Sequence, residues 1–283
     1  MQFCFYSGFN QMLQEKGLDE TAAWAQENGF SSVEFLQLPI ENWHAGVDSL
    51  PHAKQVNQRL RDFELSTACY SVGVNLLNGE QALSFLKKHA ELAAELGSPF
   101  LHHTLIDSLI LDKNAPTFEE VFPIIVDRAT EIATYCKSLG LTCLYEEQGM
   151  YFNGVESFGR FYREIQKRCQ NVGVCGDFGN ILFVDESPTD FFRAFQTEIK
   201  HVHLKNYRRV FSPNDAPLQE GWLPTKNGAY LLDTSLEQGI VDVRACMQIL
   251  RENRYKGAFS LEIVEPTKNN APAMALAKKL FET

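Results

Sequence analysis

At intervals of about thirty residues the chain returns to a short apolar run too brief to be a helix. There are eight: 3–7, 32–36, 67–71, 100–104, 142–146, 172–177, 200–204 and 258–263. Each is rich in β-branched, aromatic or Leu residues, the composition of a strand buried on both faces. Helical patterns lie between them. Asp19 can cap a helix that stops at Gly29. Residues 80–95 repeat apolar side chains at helical spacing before Gly97. Thr117 and Glu120 form a capping box for a helix ending at Gly140, and Ser187-Pro188 reads as an N-cap with a first-turn proline. Eight strand–helix alternations predict a parallel sheet, and eight strands close a barrel. An open doubly wound sheet is the rival, but Ser7-Gly8-Phe9-Asn10 is not its glycine-rich phosphate turn. A length of 283 residues suggests two domains by division, yet α/β barrels routinely exceed 200 residues as one. The reading is α/β, a single (β/α)8 barrel domain over 1–283, with a long loop without a helix at about 205–240 after the seventh strand.

Composition narrows the function. Twenty-six Lys and Arg stand against 36 Asp and Glu, a formal net charge of −10, which lacks the basic footprint that phosphate-backbone binding needs. No apolar stretch approaches the roughly 20 residues of a membrane span. Early polar residues from Gln2 to Lys16 break any signal-like start, so a cytoplasmic protein is expected. The seven cysteines are scattered without a CxxC pair and read as reduced, small hydrophobes.

The chemistry gathers at the ends of the strands, where a barrel keeps its active site. The fourth run ends in His102-His103, the fifth in Glu146-Glu147-Gln148, and the sixth in Asp177 followed by Asn180. The seventh carries His201 and His203, and the eighth ends at Glu262. A lone Glu there is usually solvated and a lone His usually bonds a neighbour. Four consecutive strands bringing Glu, Asp or His to one height are harder to explain so, because clustered carboxylates repel unless a cation holds them. Carboxylates with one imidazole suit Mn, Mg or Co, and Zn less exclusively, with Mn the expected ion. Glu146 and Glu147 point to opposite faces, so either can be the ligand from the fifth strand. His44, His52 and His89 read as surface residues. Lys205 and Arg208 read equally well as an exposed charge run or as anchors for a substrate hydroxyl, carboxylate or phosphate. Tyr6, Tyr70 and Trp222 can wall a pocket.

Taken in order, Gly140 to Gln148, Gly176 to Asn180, His201 to Asn206, Gly239 to Asp242 and Tyr255 to Glu262 resemble the xylose-isomerase-like TIM-barrel family. That family contains sugar isomerases, ketose 3-epimerases, hydroxypyruvate isomerases and apurinic-site endonucleases. Ser32 to Phe35, with Glu34, is similar to its Glu-bearing second strand. The resemblance implies one divalent metal held by Glu147, Asp177, His203 and Glu262, with Glu146 as the alternative to Glu147. Glu147 is preferred because a Glu followed by an amide is similar to the family's usual ending. It implies a metal-stabilised enediolate, formed when Glu147 or Glu262 removes a proton beside a ketose or sugar-phosphate carbonyl. His102, His103, Asn180, His201, Lys205 and Arg208 would contact substrate. Asn180 stands where many members carry His, which suggests a different substrate. A keto-polyol dehydratase on the same barrel is the alternative. Seven histidines and the acidic charge disfavour the endonuclease. The expected partner is a small sugar or sugar phosphate, with no nucleic acid or membrane and with a homo-oligomer left open.

Overall fold

A computed structural model describes residues 1–37, 50–106, 115–217 and 220–283. Eight parallel strands close a barrel: β1 (Gln2–Phe5), β2 (Ser32–Leu36), β3 (Ser66–Val72), β4 (Phe100–His103), β5 (Thr142–Glu146), β6 (Val172–Asp177), β7 (Ile199–Leu204) and, last in the chain, β11 (Ala258–Leu261). They neighbour one another in chain order, and β11 pairs with both β7 and β1 to shut the ring. Helices α1 (Phe9–Glu27), α2 (Leu50–Asp62), α3 (Glu80–Glu95), α4 (Phe118–Ser138), α5 (Val155–Arg168), α6 (Pro188–Ala194), α7 (Val243–Glu252) and α8 (Pro266–Glu282) alternate with them. Outward-facing strand side chains such as Phe5, Phe35, Tyr145 and Phe259 share the main core with the helices. Inside the barrel Cys69, Leu144 and Cys175 pack with Phe100 into a separate apolar floor.

The punctuation works locally as the residue types dictate. Thr117 Oγ1 accepts from the Glu120 N–H at 3.3 Å, and Glu120 returns the bond to the Thr117 N–H at 2.7 Å. Gly140 leaves α4 at φ +75°, a conformation that costs glycine nothing. One helix start differs from expectation, and one expected N-cap forms without its side-chain bond. α1 begins at Phe9 and breaks at Gly17 (φ 80°, ψ 175°), while Asp19 grips Arg59 at 2.7 Å. Ser187 occupies the N-cap, but its hydroxyl bonds Thr189 rather than the helix.

The expected irregular loop after β7 is a small antiparallel sheet: β8 (Tyr207–Val210), β10 (Tyr230–Asp233) and β9 (Leu223–Pro224), in the order β8-β10-β9. Its strands are too short to register as periodic runs. Asn206 ties both ends of this excursion. Its Oδ1 accepts from the Tyr207 and Val241 N–H groups, each at 2.9 Å, and its Nδ2 donates to Leu236 O at 2.8 Å.

Candidate active site

Strand alternation decides which side chains enter the barrel. On β5, Leu144 joins the interior floor and Tyr145 the outer core, so Glu146 points inward. Register then lines up the donors: Glu146 lies opposite Cys175 on β6, Asp177 opposite His203 on β7, and His203 opposite Ser260 on β11. One ligating atom from each of Glu146, Asp177, His203 and Glu262 lies within 4.8 Å of the others. His203 Nδ1 is central, 2.8 Å from Glu146 Oε1 and 3.1 Å from Glu262 Oε2.

Glu147 is not brought into this group. It is fully buried, and its Oε1 accepts from the Asp177 backbone N–H at 3.0 Å. Burial first, then Asp177 and Glu146, push its carboxyl well above the usual range. The amide that follows it, Gln148, therefore did not mark the inward glutamate; the phase of the strand does. Asp177 Oδ1 is fixed by the N–H groups of Gly179 and Asn180 at 2.7 and 2.6 Å, which leaves Oδ2 buried without a hydrogen-bond partner. Burial, opposed by Lys205 and reinforced by Glu146 and Glu262, lifts Asp177 to about 7. At Glu262 burial acts upward, but Lys205 and His203 hold the carboxyl down at about 2. Three carboxylates crowded on one imidazole, with an orphaned oxygen among them, fit a divalent cation in both charge and donor type.

A residue outside the expected set underlies the site. Glu34 on β2 is fully buried and takes four contacts. Its Oε2 meets His201 Nε2 at 2.8 Å and Ser260 Oγ at 2.5 Å. Its Oε1 meets Ser71 Oγ at 2.5 Å and His203 Nε2 at 3.2 Å. Burial disfavours the ionised form, yet His203 and His201 hold Glu34 well below the usual carboxylate range. Such a carboxylate behind an imidazole fixes the ring, and here it turns Nδ1 toward the cluster. The sequence signal was a Glu two residues into an apolar run, which only the second-strand resemblance singled out.

The expected substrate contacts divide. His102 faces inward, with Nε2 3.7 Å from Glu146 Oε2. His103 faces outward against Tyr145, its ring centroid 5.3 Å away, because adjacent strand residues alternate. His201 sits a layer below the mouth, fully buried on Glu34. Lys205 pairs with Glu262 and lies 3.4 Å from Asn180 Oδ1. Arg208 is exposed on β8, over a separate polar hollow of about 180 Å³ shared with Lys268 and Asn269. Tyr6 stacks on His203 at 5.1 Å, whereas Tyr70 is buried against His89 and Trp222 is buried beside β9. His89 is thus a core residue, His52 is exposed, and His44 lies outside the described residues.

Two hollows flank the Lys205–Glu262 pair. One, of about 360 Å³, is lined by Tyr6, Asn10, Leu36, Glu262 and neighbours; the other, of about 160 Å³, by Gln148, Asn180, Lys205, Tyr207 and Asp233 among others. All seven cysteines are free and buried. Among the described residues no helix is long and apolar enough to cross a membrane.

Comparison with known proteins agrees with this architecture. The profile of the xylose isomerase-like TIM barrel family matches residues 22–282, and the chain belongs to that family. It is 25% identical over 240 residues to an inosose dehydratase of Bacillus cereus (strain AH820), covering 78% of this chain and 76% of that protein. Among solved structures, the probable 3-DHS dehydratase AsbF of Bacillus anthracis superposes with a TM-score of 0.74 at 18% identity, over 98% of this chain and 99% of the other. An L-ribulose 3-epimerase superposes at 0.72 and 16% identity, over 100% and 95%. Proteins that share this fold thus include one named as a probable dehydratase and one named as an epimerase.

Proposed function

We propose that this protein is a metal-dependent isomerase or epimerase of a ketose or sugar phosphate, working by proton transfer at the carbon beside a carbonyl. The observation that carries the reading is the convergence of Glu146, Asp177, His203 and Glu262 on one point at the mouth of the barrel. These four would hold a divalent ion, with Mn favoured by the donor set. What such an ion supplies is Lewis acidity, which makes the neighbouring carbon proton easier to remove.

The chain's own groups do the rest. Glu146 from β5 and Glu262 after β11 approach the same imidazole nitrogen from different strands, which puts two carboxylates around one substrate position. One takes the carbon proton. The other returns a proton to the opposite face for epimerisation, or one carboxylate returns it to the adjacent carbon for isomerisation. Lys205 restrains Glu262 and, with the unpartnered Asn180 Nδ2, donates to substrate oxygens. Tyr6 offers an aromatic face to the apolar side of a sugar ring.

Likeness to an inosose dehydratase favours a second reading on the same residues. There the carbon proton leaves to a carboxylate, and the β-hydroxyl departs as water after taking a proton from Lys205. Incubation with free ketoses, ketose phosphates and keto-inositols, with products identified by NMR, separates the two. An epimer or isomer is the expected product. An unsaturated product formed with loss of water assigns the dehydratase, and no turnover on any compound contradicts both.

A further inference from the structure

His203 belongs to a second set of ligating atoms beneath the oxygen-rich one. The Cys175 thiol on β6, the His102 imidazole on β4 and the His203 imidazole on β7 lie within 4.8 Å of one another, and all three residues are buried. Cys175 belongs to the apolar floor with Cys69 and Leu144, so the thiol forms the bottom of the site and the two imidazoles its walls. The His102 and His203 rings meet edge to face, centroids 5.5 Å apart.

The hydrogen bonds around His102 leave it one open nitrogen. Ser71 donates its only hydroxyl proton to Glu34 Oε1, and the same oxygen lies 2.9 Å from His102 Nδ1. With its proton committed, Ser71 accepts there, so Nδ1 carries the ring proton and Nε2 presents a lone pair. That Nε2 is buried and has no hydrogen-bond partner; the Glu146 oxygen 3.7 Å away is itself an acceptor. A buried lone pair facing another lone pair is costly unless a proton or a cation lies between them.

Thiol and imidazole donors select differently from carboxylates. One sulfur and two nitrogens suit tetrahedral Zn²⁺ with its fourth position open. Metal–ligand lengths of about 2.0–2.3 Å place such donors roughly 3.3–3.8 Å apart, so an inward movement of about 1 Å closes the set. We infer that Cys175, His102 and His203 form a second metal site, for a soft divalent ion of the Zn²⁺ class, which shares His203 with the oxygen-rich site. A hard ion such as Mn²⁺ ignores the thiol. Excess Zn²⁺ draws on His203 from below, so the identity of the bound metal governs whether the upper site is complete. This inference does not depend on which reaction the protein catalyses.

Cobalt reports it directly. The full-length protein, stripped with chelator and kept reduced, is titrated with Co²⁺ and followed by absorption. The expected result is a thiolate-to-cobalt charge-transfer band together with the strong visible bands of tetrahedral cobalt, both bleached by added Zn²⁺. Cys175→Ser loses the charge-transfer band, His102→Gln loses the tetrahedral bands, and Asp177→Asn keeps both. Circular dichroism identifies any variant that fails to fold, and the His102 and Cys175 variants check each other. No charge-transfer band in the wild type, a band that survives Cys175→Ser, or one lost with Asp177→Asn overturns the assignment.

Discussion

At the residue scale, two adjacent glutamates have opposite fates. Glu146 joins Asp177, His203 and Glu262, whereas Glu147 is sealed outside the ring with its carboxyl driven toward the protonated form by burial, Asp177 and Glu146. Glutamine is a close mimic of a protonated Glu147 and a poor mimic of a ligating Glu146. Calorimetric titration of chelator-treated protein with Mn²⁺ should therefore show Glu147→Gln binding within a few-fold of wild type and Glu146→Gln weakened by more than about 100-fold. Glu34 makes no direct contact with the bound ion in this account, but it aims His203. Glu34→Gln should cost roughly 10–100-fold in Mn²⁺ affinity, the usual effect of removing the partner behind a metal-binding imidazole. Wild-type affinity in that variant would show that His203 needs no such support. Asp177, His203 and Glu262 were readable in the sequence because each is a residue of metal-binding type at or near the end of an apolar run. The choice between Glu146 and Glu147 was not, since it turns on the phase of one strand. Ser71, Ser260 and Cys175 were hidden inside apolar runs, Glu34 was singled out only by the resemblance of its strand, and only the closed ring brings them together.

At the scale of elements, the eight barrel strands were legible because strands buried on both faces must be apolar throughout. The insert after β7 was not, because its strands are 4, 2 and 4 residues long and are held by tertiary ties instead of by pattern. Asn206 is the main tie, with three hydrogen bonds to Tyr207, Val241 and Leu236. Asn206→Ala leaves two buried N–H groups and one carbonyl to find other partners, at a cost of roughly 1–3 kcal/mol for each that fails. Denaturant unfolding should show a clear loss of stability, with limited proteolysis accelerating between 207 and 240. Unchanged stability would mean that the insert is fixed by its packing alone. The insert also supplies Asp233 and Tyr207 to the smaller hollow, so its loosening should raise KM more than it lowers kcat.

For the whole molecule, burial of histidines makes stability depend on pH. His89 against Tyr70 and His103 against Tyr145 are both pushed by burial from 6.5 down to about 4. The unfolded chain therefore binds protons between about pH 6.5 and 4 that the folded barrel refuses, and stability falls as pH falls through that window. Each group accounts for up to about 3 kcal/mol across the full range. His89→Gln keeps an acceptor for the Tyr70 hydroxyl and removes one of the two titrations. The loss of stability between pH 7 and 5, measured by urea midpoint, should be smaller in that variant than in wild type; an equal loss would place the acid sensitivity elsewhere.

The central claim concerns chemistry at one point in the barrel: proton transfer at carbon, dependent on the ion held by Glu146, Asp177, His203 and Glu262. Its most direct measurement is proton NMR of ketoses and keto-polyols incubated in D₂O with protein as purified, after chelation, and after Mn²⁺ is restored. The proton beside the carbonyl of at least one compound should be replaced by deuterium, chelation should stop the exchange, and Mn²⁺ should revive it in wild type but not in Glu146→Gln. Exchange that persists after chelation, or none with any compound under any metal, would contradict it.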